Sequence, residues 1–141
     1  MKKLVGLFTM SLLVLSLAVF QVGCQQTSPP TTVLPSSGDW KATAEFGDFV
    51  FTVNPESTGI AKVSFDFKAF KCGGVTSSGG ISVEKADLWP ITDGQFTLEV
   101  YVRPWNMVIE GTFDESGSRA SGTWEVTGTG CSGTWESRQS P

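Results

Sequence analysis

From Asp39 onward, apolar and polar residues alternate with a period of two along almost the whole chain. Trp40, Ala42, Ala44 and Phe46 share one face, with Lys41, Thr43 and Glu45 on the other. Phe49, Phe51 and Val53 continue the pattern, followed by Ala61, Val63, Phe65 and Phe67 opposite Lys62, Ser64, Asp66 and Lys68. Phe96, Leu98, Val100 and Val102 oppose Gln95, Thr97, Glu99, Tyr101 and Arg103. Met107, Ile109, Gly111 and Phe113 come next, then Ala120, Gly122, Trp124 and Val126, and finally Cys131, Gly133 and Trp135. Successive side chains of a strand point to opposite faces, so this period predicts strands with one dry and one wet face. Such one-sided strands belong to antiparallel sheets, because parallel strands are covered by helices on both faces.

Turn-forming segments separate the runs: Asn54–Gly59, Thr92–Gly94 and Glu115–Ser118. The pattern predicts eight short strands, over 39–46, 48–53, 60–68, 80–85, 95–103, 106–113, 119–127 and 131–137. Gly73–Gly79 and Leu88–Ile91 read as irregular. Connections this short pair sequence neighbours in space, giving an up-and-down meander. A sheet with one apolar face must then close as a small barrel or, alternatively, fold over as a sandwich. Seven phenylalanines and three tryptophans on the inner face favour a filled interior over a hollow one.

The first 23 residues do not fit this alternation. Lys2 and Lys3 precede an almost unbroken apolar run from Leu4 to Phe20, then Gln21-Val22-Gly23, Cys24, and a polar stretch containing Pro29, Pro30 and Pro35. This order resembles a bacterial lipoprotein signal peptide, which is cut before the cysteine that becomes the lipidated N-terminus. Gly23 fits the pattern; Gln21 stands where an apolar residue is usual. The alternatives are ordinary signal cleavage and an uncleaved anchor, the run of about 17 residues being slightly short for a span. All three readings export the domain. The resemblance implies a signal peptide over 1–23 and palmitate-type acylation at Cys24, placing the domain on the extracytoplasmic side of a cell membrane or outer membrane. Residues 24–37 read as a Pro/Ser/Thr-rich tether, 38–138 as one β-domain and 139–141 as a tail.

The ten basic residues include Lys2 and Lys3, so eight remain against fourteen acidic ones, a net charge near −6 without the leader. That balance argues against nucleic acid as a partner. Cys72 and Cys131 are the remaining cysteines. In an exported chain they form a natural disulfide pair, with two buried free thiols as the alternative.

Gly38-Asp39-Trp40 resembles the Gly-x-Trp that opens the barrel of lipocalins and their avidin-like relatives; the Thr-Asp-Tyr turn of lipocalins has no counterpart, since Thr92-Asp93 continues with Gly94. The steps Cys72-Gly73-Gly74, Trp89–Phe96, Gly111-Thr112-Phe113 and Ala120–Trp124 resemble a class of bacterial extracytoplasmic β-domains without assigned chemistry. That resemblance implies an exported, disulfide-pinned β-domain. Ser121-Gly122-Thr123-Trp124-Glu125 also recurs as Ser132-Gly133-Thr134-Trp135-Glu136. Each glycine leaves room on the inner face for a large neighbour, which reads as packing.

Histidine is absent, which removes the commonest general base and the usual nucleophile pairs. Carboxylates at Asp66, Glu99 and Glu110 are candidates for a hydrolase pair, but acids at alternating outward positions read as a solvated face. Asp87, Asp93, Asp114 and Glu115 are candidates for calcium without the spacing of a calcium loop. No metal or cofactor is expected. Trp89, Tyr101 and Trp105 are candidate binding aromatics, but the favoured reading is that Trp89-Pro90 and Pro104-Trp105 plug the barrel ends. The resulting expectation is a surface-anchored, non-enzymatic domain that binds a protein or glycan. A carrier of a small apolar ligand and a structural envelope component are the alternatives.

Overall fold

Eight antiparallel strands, in the order the alternation predicts, wind into a nearly closed barrel. The computed structural model describes residues 34–139; the leader, Cys24, most of the tether and the last two residues lie outside the described residues. The strands are β1 (Gly38–Ala44), β2 (Gly47–Val53), β3 (Gly59–Cys72), β4 (Val75–Pro90), β5 (Gln95–Val102), β6 (Trp105–Phe113), β7 (Arg119–Val126) and β8 (Cys131–Gln139). Their order across the sheet is β4-β3-β2-β1-β8-β7-β6-β5. Two four-stranded meanders are thus joined by a ladder between the first strand and the last, running from Trp40↔Gln139 to Ala44↔Trp135. β4 and β5 face each other across a seam without a ladder. The all-β up-and-down barrel follows from the alternation; the sandwich does not occur.

Several boundaries differ from the sequence pattern, each for a local reason. Phe46 lies in the β1–β2 turn, yet its ring is fully buried because the turn folds it inward. Ile60 replaces Ala61 in the core: Thr52 pairs with Lys62 but Val53 with Ile60, so Ala61 is the extra residue of a bulge. An inserted residue shifts the inward parity, which simple alternation cannot register. The Gly73–Gly79 segment is not an irregular connection. Cys72 pairs with Val75 around a two-residue Gly73-Gly74 turn, and both glycines have positive φ (56° and 80°). That is the backbone a tight hairpin of right-twisted strands requires. Apart from Phe70 and Cys72 the arms of this hairpin are largely exposed, so little alternation marks them. Leu88–Pro90 likewise belongs to β4: a bulge sets Lys85–Leu88 opposite the single residue Ala61, and pairing resumes at Trp89.

Residues 34–37, at the end of the tether assignment, lie against the barrel. Pro35 is buried, Trp40 Nε1 donates to Ser36 O at 3.0 Å, and Gln139 Nε2 donates to Ser37 O at 3.1 Å. The β2–β3 turn is organised by Asn54, whose Oδ1 accepts from the Thr58 and Gly59 N–H groups at 2.9 and 3.0 Å. Its Nδ2 donates to Glu56 and Thr58. Asn54→Ala leaves those two backbone donors without their acceptor and is expected to cost about 2 kcal/mol in denaturant unfolding. A loss under about 0.5 kcal/mol would show that water replaces the side chain.

The interior is filled by rings. Trp40 meets Phe113 edge-on at 5.0 Å, Phe46 meets Trp124 at 5.2 Å, and Phe49 meets Trp135 at 5.4 Å. Edge-to-face pairs at such separations gain attraction beyond area burial. The repeated Ser-Gly-Thr-Trp-Glu segments pair with each other antiparallel, about a local two-fold through Thr123↔Thr134. Gly122 therefore faces Trp135, and Gly133 faces Trp124. Trp135 lies over Gly111 and donates its Nε1–H to Glu110 O and Thr123 O at 3.0 and 3.2 Å. The packing role expected of these glycines holds, and it is reciprocal.

Cys72 and Cys131 form a disulfide, with Cα atoms 6.0 Å apart. It ties the tip of the β3–β4 hairpin to the start of β8, beside Thr129 of the β7–β8 turn.

Candidate functional site

The aromatic candidates separate into two kinds. Trp89 and Trp105 are 4% exposed and belong to the core. They do not form a binding surface. Trp105 packs edge-on against Phe70 at 5.3 Å, and Lys85 Nζ lies 5.4 Å from the Trp89 ring. The Pro residues beside them conceal their inward placement, because prolines end the alternation by which burial is read. Tyr101 is 60% exposed and stands alone on β5 as the one exposed aromatic ring among the described residues.

The acidic candidates do not converge. Asp66 projects from β3, whereas Glu99 and Glu110 project from β5 and β6; all three are exposed on the outer wall. Glu99 sits opposite Val108 and Glu110 opposite Thr97, so even the two on neighbouring strands are offset. Asp87 lies in the β4 bulge and Asp93 in the β4–β5 turn, while Asp114 and Glu115 lie in the β6–β7 turn. Among the described residues no three acidic or cysteine side chains gather as a metal site.

Asp114 instead organises its own turn. Its Oδ1 accepts from the Ser118 and Arg119 N–H groups at 3.0 and 3.2 Å, and the Ser116 hydroxyl donates to the carboxylate at 2.9 Å. Partial desolvation works to raise its pKa. The Ser116 hydroxyl, the two backbone N–H groups and the nearby Arg119 charge together outweigh it and hold the carboxyl below the usual range.

A concavity lies on the outer wall, where the residues following Ser37 enter β1. It is an open groove of about 790 Å³ over β1, β8 and β7, reaching the end of β6. Cross-strand register sets its floor. Lys41 stands opposite Arg138, and Arg138 opposite Arg119, so three cations form one row across three strands. Two residues along, Thr43, Glu136, Ser121 and Thr112 form a parallel row. All seven side chains are exposed on the wet face. Two acids line the groove: Asp114, held by its turn beside Arg119 and feeling its charge, and Glu136, two residues from Arg138; among the described residues none of the three cations makes a close ion pair. Elsewhere Lys62 pairs with Glu84 and Lys68 with Asp48. Reading the sequence strand by strand misses the cation row, because Lys41, Arg119 and Arg138 come together only through the β1–β8 ladder.

Fold and groove define a small, filled, antiparallel up-and-down barrel with a polar outer-wall groove. Comparison with protein-family models, curated proteins and solved structures finds no match to this chain.

Proposed function

We propose that the protein is an exported, lipid-anchored binding domain that acts through its outer wall and catalyses nothing. The Cys24 context supports the anchor: two lysines, an apolar run, Gly23 and then an abrupt polar tether. The observation that carries the binding reading is the ring-filled interior. With Trp40, Phe46, Phe49, Phe51 and Trp135 each at most 1% exposed, a small apolar ligand has no room inside. Recognition is left to the surface, where the groove over β1, β8 and β7 gathers three cations and a row of polar side chains. The lack of histidine and the scattering of the outward acids support binding over catalysis. The partner is a protein or a glycan.

A native mass spectrum of the protein taken from its own membrane fraction tests this reading. The expected mass begins at a triacylated Cys24, is two hydrogens light for the Cys72–Cys131 disulfide, and loses nothing further on unfolding. A small molecule released on unfolding would move the carrier reading to first place. An unacylated N-terminus would remove the lipid anchor.

A further inference from the structure

We infer that the outer-wall groove is a binding site for an acidic glycan, a sugar chain bearing carboxylate, sulfate or phosphate groups. This rests on the binding-domain reading and names the ligand class of its site. Like charges directly opposite each other on a strand pair repel. The row Lys41–Arg138–Arg119 places three of them side by side, at the strand spacing of about 4.8 Å. The domain is acidic overall, and among the described residues its close lysine–carboxylate pairs form elsewhere on the wall. Exposed side chains on the wet face of a strand have no packing reason to be cationic together. A local rule broken without a structural gain marks a functional surface. Arginine adds planar donor forks suited to two-oxygen anions.

The second row decides between kinds of anion. Glu136 stands between Thr43 and Ser121, two residues from Arg138 on the same face. A bare polyanion, such as an acidic peptide, meets repulsion there. A ligand carrying both acid groups and hydroxyls satisfies both rows: its acids meet the cations, and its hydroxyls donate to Glu136 and exchange hydrogen bonds with Thr43, Ser121 and Thr112. The groove has no exposed aromatic ring, since Phe113 at its edge is buried and Tyr101 is on β5. Stacking of neutral sugars is therefore not the mode of recognition, and charge with directed hydrogen bonds is.

The test titrates the purified protein with oligogalacturonate, neutral malto-oligosaccharide and poly-glutamate of matched length. Oligogalacturonate is expected to bind, and to weaken as salt screens the exposed charges; the other two bind at least tenfold more weakly. Lys41→Gln/Arg119→Gln/Arg138→Gln lowers affinity for oligogalacturonate at least tenfold. Lys71→Gln/Lys85→Gln/Arg103→Gln removes the same charge elsewhere and stays within about twofold. Glu136→Ala supplies the sharpest arm. It weakens oligogalacturonate several-fold although it removes a negative charge, and it strengthens poly-glutamate. Equal losses in the two triple variants overturn the site. Poly-glutamate binding as well as oligogalacturonate, or Glu136→Ala strengthening both, overturns the glycan assignment in favour of an acidic protein. Binding of the neutral sugar alone overturns the charge argument and leaves the binding-domain reading standing. If no probe binds and a small molecule is released on unfolding, the binding-domain reading fails with it.

Discussion

Gly122→Ala is expected to destabilise the barrel by about 3 kcal/mol or more, enough to unfold much of the population near physiological temperature. A Cβ on Gly122 would lie 1.8 Å from Glu110 O and 2.9 Å from Gly111 Cα. Both obstacles are backbone, so no rotamer change relieves them; the β6–β7 ladder itself must move. Trp135 depends on the same gap, because its Nε1–H reaches Glu110 O and Thr123 O across Gly111 and Gly122. Displacing it removes two hydrogen bonds from a buried indole and opens the ring cluster around Phe49, Phe51 and Phe96. Gly80→Ala is the matched control. Its Cβ meets only Phe65 O at 3.5 Å, an ordinary contact. Losing a glycine's unfolded-state freedom there leaves stability unchanged or raised by up to about 1 kcal/mol. Urea midpoints of the two variants, read against the parent, make the comparison. If Gly122→Ala falls within 1 kcal/mol of Gly80→Ala, the close approach of β6 and β7 is not what fixes the indole.

The second large effect concerns the disulfide. Cys72→Ser, or full reduction, is expected to cost about 4 kcal/mol, because the bond closes a loop between residues 59 apart and so restricts the unfolded chain. The bond also has a local task. Beyond Phe70 only Cys72 of the β3–β4 hairpin is buried, so little apolar burial holds its tip. Cys72 itself is 2% exposed, beside Thr129. Reduction should therefore first loosen Lys71–Ile81, seen as faster amide exchange there than in β6 or β7, and lower the melting midpoint of the whole domain. A midpoint unmoved by reductant would mean that the unfolded chain gains nothing from release of the loop.

Strand number, order and inward faces were legible wherever one face of a strand is dry. β5, β6 and β7 have alternating burial throughout, and their residues are apolar and polar in step. Legibility failed where a strand has no dry face or changes parity. The outer part of β4 is Ser- and Gly-rich because it covers nothing, and Ala61 is the spare residue of a bulge. Trp89 and Trp105 sit beside Pro90 and Pro104, where periodicity stops, so their burial was hidden. The groove was beyond reach of any reading along the chain. Lys41 and Arg138 are 97 positions apart, and only the pairing of β1 with β8 makes them neighbours.

The same pairing governs the order in which the molecule can be completed. A chain emerging from its N-terminus offers β1 early, yet the strand that covers the outer edge of β1 is the last to appear. Until Trp135 arrives, Phe49 and Phe51 lack the ring that lies 5.4 and 5.9 Å from them in the finished core. The half-made protein is an open sheet with a bare edge and an uncovered aromatic face, the features that invite pairing with another chain. The nine residues of β8 therefore act as the clasp of the barrel. The span between emergence of β1 and arrival of that clasp is the interval in which a newly made chain most needs a chaperone.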